Sequence, residues 1–208
     1  MKYAYARSVF VNCPFTDDFK PLFRAIIFTI VHCGYVPRCA LEFEDSNHVR
    51  LQKIERLIEQ SKFGIHDLSF MELDKHSSLP RFNMPLELGL FLGAKRYGDV
   101  VQKRKRLIIL DKDKYRYQKA VSDISGQDIK CHYNKPSHVI KCLRNWLKTV
   151  SGRKHIPGAR YITNRYKRYE QDLPNICKNL EYDFNDLPFN DFWETITIWL
   201  EQDTKKPA

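Results

Sequence analysis

The 208-residue chain has room for one α/β domain of about 150 residues plus a short appendage, and not for two full catalytic domains. Its 43% hydrophobic and 13% aromatic content excludes wholesale disorder. An excess of 35 Lys and Arg over 25 Asp and Glu gives +10 at pH 7, and all of it lies in residues 1–150, since 151–208 carries nine of each sign.

Short apolar runs alternate with segments of helical period, the pattern of a parallel sheet covered by helices. Ser8–Asn12 reads as a first strand, stopped by Pro14. Phe19–Cys33 reads as a helix that tolerates Pro21 in its first turn and stops at Gly34. Tyr35–Ala40 is a weaker strand, because Pro37 cannot donate to a ladder and suits an edge. Ser46 or Asn47 can cap a helix to Gln60 whose inner stripe is Val49, Leu51, Ile54, Leu57 and Ile58. Phe63–Asp67 is the third strand. A polar loop from Glu72 to Arg81 then leads to a helix over Asn83–Gly93, with Pro85 near its start. Arg106–Asp111 and Asp128–Tyr133 are the last two strands, and Ser137 caps a helix to Val150. Turn residues at 151–158 mark a boundary, after which 160–180 and 189–202 are helical.

This layout predicts a doubly wound, mainly parallel five-stranded sheet of the flavodoxin-like or Rossmann-like kind over 1–150, with a small helical appendage over 151–208. In the appendage Phe189, Phe192, Trp193, Ile196 and Trp199 recur at helical spacing, as a core stripe or an association element.

No run of about 18 apolar residues is present, so no membrane-spanning helix is expected, and the longest apolar stretch, Ala25–Val31, begins too late for a signal peptide. Six scattered cysteines, without CxxC or zinc-type spacing, fit free thiols in a cytoplasmic protein without a metal site. No GxGxxG is present, which disfavours redox dinucleotide chemistry. The segment 95–119 holds ten Lys and Arg against Asp99, Asp111 and Asp113. Nucleic acid binding through it and a plain solvated face are both compatible with that count.

In open parallel sheets ligands bind beyond the carboxyl ends of the strands. Two carboxylates stand out there. Asp67 ends the third strand, where an Asx-type turn is the ordinary alternative. Glu87 lies one turn into a mostly apolar helix, where an acid is expensive unless it is paired, used, or held by its own helix terminus. Asn83 stands one turn before Glu87. His66 alternates to the opposite face from Asp67 and reads as a packing histidine. Cys13 is the cysteine on the same end of the sheet.

Val9-Phe-Val-Asn-Cys-Pro-Phe15, Gly64-Ile-His-Asp-Leu-Ser69 and Arg81-Phe-Asn-Met-Pro-Leu-Glu-Leu-Gly89 together resemble the nucleoside 2-deoxyribosyltransferase-like superfamily, in particular a bacterial, defence-associated branch. Ser69 and Glu87 also look like the pattern of the related Toll/interleukin-receptor-like NAD-cleaving domains. The resemblance covers about residues 8–150. Arg81, Phe82 and Asn83 depart from the acidic and small residues usual in the metabolic transferases.

The resemblance implies cleavage of an N-glycosidic bond in a nucleotide, with NAD the leading substrate and no added cofactor, in an antiphage or toxic effector. Glu87 would be nucleophile or counter-charge to an oxocarbenium-like centre, and Asp67 would position or protonate the leaving base. Asn12, Ser69 and Asn83 would meet ribose hydroxyls and Phe15 would stack on the base. Arg38, Arg81, Lys112 and Lys114 would face phosphates. A homo-oligomer or a regulatory partner is expected. Two other readings share the fold: a non-catalytic module sensing nucleotides or binding nucleic acid or a partner, and a metabolic deoxyribosyltransferase.

Overall fold

In the computed structural model, which describes residues 4–43, 45, 49–71 and 81–205, the strands β1 (Ser8–Asn12), β2 (Val36–Arg38), β3 (Phe63–Asp67), β4 (Arg106–Asp111) and β5 (Lys130–Cys131) form one sheet. Its order is β2-β1-β3-β4-β5 and every pairing is parallel. This is the doubly wound arrangement expected from the alternation of runs.

Side-chain alternation assigns the two faces. Val9, Val11, Phe63, Ile65, Ile108 and Leu110 pack against α1 (Lys20–His32) and α4 (Pro136–Val150). On the other face Phe10 and Ile109 meet α2 (Arg50–Glu59) and α3 (Asn83–Tyr97). Gly64 is required by this second face, because a Cβ there would stand 2.7 Å from the Phe91 ring of α3. Gly34 ends α1 with φ +77°, the left-handed conformation glycine adopts without penalty.

The strands differ from expectation at the sheet's edges. The β2 strand keeps only three residues and sits at an edge, where Pro37 costs no ladder bond. The β5 strand keeps two, because Tyr133 and Asn134 both turn to positive φ and α4 starts at Pro136. Ser137 therefore lies inside the first turn of α4 and does not cap it.

Ile54, Leu57 and Ile58 are buried as the inner stripe of α2. Val49 and Leu51, a turn earlier, stay exposed. The expected caps Ser46 and Asn47, and the polar loop through residue 80, lie outside the described residues. The α3 helix continues four residues past Gly93 to Tyr97.

The appendage consists of α5 (Ala159–Asn179) and α6 (Phe189–Lys205), which pack on α1 and α4. Phe189, Phe192, Ile196 and Trp199 are buried with Phe28 and Tyr169 in the same continuous core as the sheet. The aromatic stripe is thus consumed within the chain. No helix among the described residues is long and apolar enough to cross a membrane.

Candidate active site

The chain reverses its direction of winding between β1 and β3, and the carboxyl ends of those strands flank a crevice where doubly wound sheets bind ligands. Register pairs Asn12 with His66, so Cys13 and Asp67 stand on either side of it. Asn12 is buried and ties the crevice to α3. Its Nδ2 donates to the Met84 carbonyl at 2.8 Å and to His66 Nδ1 at 3.1 Å. Burial lowers the His66 pKa to about 3, which leaves the ring neutral and able to accept from Asn12. His66 packs edge-on against Phe10 and Phe91, as its alternation predicted.

Asn12 fixes the first turn of α3 over the end of β1, and Glu87 lies one turn further on. Its carboxyl is partly buried, and loss of water pushes its pKa up to about 7, with Arg50 of α2 pulling the other way. Asn83, at i−4, shares its helix face and is exposed. Burial pushes the Cys13 thiol far above the ordinary range, and the negative charges of Asp67, Cys39 and Glu87 add to that rise. This thiol is therefore a poor nucleophile.

Asp67 itself is fully buried on the α1/α4 side of the sheet. Its Oδ1 accepts from the Ser69 backbone N–H at 2.9 Å and from the Ser69 hydroxyl. Its Oδ2 stands 3.1 Å from His132 Nε2, in contact but off the line of an aligned hydrogen bond. His132 Nδ1 accepts the Asn134 N–H at 3.0 Å, so a neutral ring carries its proton on Nε2, toward Asp67. That N–H is delivered by the Tyr133–Asn134 turn, two successive non-glycine residues at φ +53° and +52°. Such a pair costs energy and persists only where its surroundings enforce it.

A second buried carboxylate, Asp111, ends the adjacent strand. Its Oδ1 accepts from Arg116 Nε and Nη2 at 2.9 and 2.7 Å and from the Lys112 N–H at 2.7 Å. Burial raises its pKa, and Arg116 offsets part of that rise. Arg116 also bonds the Leu68 carbonyl, which clamps the loop after β3 to the end of β4.

The other expected ligands are spread more widely. Arg38 is buried in an ion pair with Glu42 at 2.6 Å and reaches Gln60 at 3.3 Å, so it braces the end of β2. Phe15 is partly exposed beside Phe23 in a separate cavity of about 210 Å³ that α6 helps to wall. Lys114 lines a different hollow with Tyr115 and Tyr133. Arg81 is exposed just before α3, and Lys112 is half-buried after β4.

Of the basic segment, Lys105 is fully buried and donates to the carbonyls of Ile58 and Ser61. Lys95 bonds the carbonyls of Lys103 and Lys105. Three of its ten cations, with Arg116, thus serve the fold, and Lys103, Arg104 and Arg106 remain exposed.

Sequence reasoning missed the partnership of Asp67 with His132 and that of Asp111 with Arg116. A signal for the first was present, since His132 falls at the carboxyl end of a predicted strand, in line with Asp67. Among the described residues no group of three His, Cys, Asp or Glu side chains is placed to hold a metal ion. No protein-family model matches the chain, and no curated protein is similar to it.

Proposed function

We propose that the protein hydrolyses the N-glycosidic bond of a nucleotide, with NAD as the leading substrate and Glu87 as the catalytic carboxylate. The observation that carries this reading is Glu87 itself. It is a partly desolvated acid, poised near neutrality, on a helix that Asn12 fixes beside the switch-point crevice. A group with that pKa changes charge at working pH, as acid–base catalysis requires.

In NAD the nicotinamide nitrogen is already cationic, so the base leaves neutral and needs no proton. The ionised carboxylate of Glu87 stabilises the positive charge that develops at the anomeric carbon. Water then adds to that carbon, its proton passes to the Glu87 carboxylate and on to solvent, and the products are nicotinamide, ADP-ribose and a proton. Asn83, on the same helix face, orients a ribose hydroxyl in this reading. Asp67 has no exposed surface, so it is a positioning residue. With Ser69 and His132 it fixes the loop that forms one wall of the crevice.

The test is a substrate panel. Purified protein is incubated with NAD and, separately, with deoxynucleosides, and released base is quantified by chromatography. Nicotinamide release from NAD supports the reading. Base exchange between deoxynucleosides with NAD untouched would instead make the protein a metabolic transferase. Saturable nucleotide binding without any released base would make it a sensing module.

A further inference from the structure

The sheet's two edges are finished differently. At one, β2 is short and carries Pro37. At the other, β5 pairs with β4 only at Leu110 and Asp111. On its inner side β4 is paired with β3 from Arg106 to Leu110. Among the described residues no strand pairs with Arg106–Ile109 on the outer side.

A groove of about 900 Å³ runs along this open stretch, and Arg106, Leu107, Ile108 and Ile109 line it in succession. Successive strand residues point to opposite faces, so all four share one hollow only where it opens onto the strand's backbone edge. The Arg106 N–H donates to the Lys62 carbonyl at 3.0 Å, and the Leu110 carbonyl accepts from the Leu68 N–H at 2.9 Å. Those residues turn their backbone groups inward, and alternation turns the groups of Leu107 and Ile109 outward, into the groove. A strand edge left open in this way is a template for another strand.

Charge selects the strand that fits. The groove is lined by five cations and one carboxylate, Asp128. Lys95 and Lys105 spend their ammonium groups on backbone carbonyls, and Lys130 is paired with Asp128 at 2.6 Å. Arg106 and Lys141 are exposed. Arg106 shares the parity of Ile108 and Leu110, whose face α4 covers, and Lys141 reaches the groove from α4 itself. Both cations thus stand on one side of the edge, and the partly buried apolar side chain of Leu107 stands on the other.

We infer that the open edge of β4 takes up an extended acidic segment of a partner protein as an added strand, with its backbone on Leu107 and Ile109 and its carboxylates on Arg106 and Lys141.

In such a pairing main-chain hydrogen bonds supply affinity and alternate side chains supply specificity. Carboxylates on every second residue face α4, and the residues between them cover Leu107. A second copy of this chain is the wrong occupant, because it brings the same cations to the edge and carries +10 overall. Cations on an edge guard it against strands of like charge. An acidic strand meets attraction there instead.

Fluorescence anisotropy of the full chain tests the inference with a labelled peptide of about eight residues in which glutamate and valine alternate. It should bind about tenfold tighter, or more, than the peptide with lysine in place of glutamate. N-methylation of one alternate set of its amides should cost about tenfold and methylation of the other set little, since only one set faces β4. Arg106→Glu with Lys141→Glu should reverse the preference between the acidic and basic peptides. Leu107→Pro should close the edge to both, because the N–H it removes points outward and the ladder to β3 is kept. Amide hydrogen exchange of the wild type reads the same contact without a substitution: Leu107 and Ile109 should become protected when the acidic peptide is added.

Absence of binding at about 1 mM peptide, or equal binding of the acidic and basic peptides, would overturn the inference. So would an acidic peptide that binds whichever set is methylated and is displaced by a single-stranded oligonucleotide, which would make the groove a plain polyanion surface. None of these readouts involves released base, so they stand apart from the proposed cleavage chemistry.

Discussion

The two faces of the sheet are built to different standards. On the α1/α4 side, β-strand residues, α1, α4 and the two helices of the appendage merge into one continuous core running from Val9 to Trp199. On the α2/α3 side the buried residues split into two small clusters, one around Phe10 and Phe91 and one around Met84 and Ile109. Glu87 rises from this thinner side, on α3. The thick side provides stability and holds the crevice wall through Asp67 and His132. The thin side leaves a carboxylate partly desolvated where a fully packed core would have excluded it. The lesson is that α/β architecture can place a fully buried carboxylate, Asp67, and a partly solvated one, Glu87, on opposite faces of one sheet.

The sharpest way to break this contrast is Glu87→Gln. Base release should fall roughly 10²- to 10⁴-fold, the usual worth of a positioned acid–base group, while the fold is retained. Its stability should move the other way. The folded protein holds the Glu87 proton up to about pH 7, while the unfolded chain releases it near the ordinary 4.5. Folding therefore takes up a proton between those values, and the native state is increasingly disfavoured as pH rises across them. Glu87→Gln removes this penalty, so chemical denaturation at pH 8 should show a gain of about 2 kcal/mol, discounted for partial exposure, that vanishes below pH 5.

Asp67→Ala attacks the thick side of the crevice. It strands the His132 Nε2–H and the Ser69 hydroxyl in a fully buried site and should cost about 4 kcal/mol. A second substitution, His132→Leu, should recover part of that loss if the two side chains act as a pair.

Leu143→Ala, in the centre of the large core and fully buried, should cost about 3 kcal/mol by leaving a cavity. Turnover per folded molecule should remain within about twofold, because no element of the crevice rests on it alone. Thermal denaturation and active-site-normalised rates report the two quantities. The smallest effect is expected from Arg104→Gln with Arg106→Gln, both exposed at the amino end of β4. Stability should change by no more than about 0.5 kcal/mol and base release should not change, whereas any salt-dependent polyanion binding should weaken.

The sequence disclosed the parts of the structure that depend on local pattern. Strand β4, the stops at Pro14 and Gly34, the edge position forced by Pro37, and the packing role of His66 all follow from periodicity and backbone chemistry. It disclosed Glu87 for a similar reason, since an acid in an apolar run is visible without a structure.

It could not disclose which cations are spent on the fold. Lys105 and Arg116 are indistinguishable in sequence from Arg106 and Lys114, and only the tertiary positions of Ile58, Ser61, Asp111 and Leu68 carbonyls or carboxylates decide their use. The burial of Asp67 was hidden likewise, because it depends on His132, 65 residues away and set by a turn with two left-handed residues. The appendage stripe was read as apolar, yet only packing against Phe28 and Tyr169 shows that its partner is its own chain.

The pH dependence of kcat/KM for NAD cleavage is the most direct measurement of whether Glu87 performs the chemistry, since it reports the titration of essential groups in the free enzyme. Because the ionised carboxylate must face the cationic ribose, kcat/KM should rise about tenfold per pH unit below 7 and level off above it. Glu87→Gln should lose both the rate and the inflection. A profile flat between pH 5 and 8, or an inflection that survives in Glu87→Gln with turnover intact, would contradict the assignment.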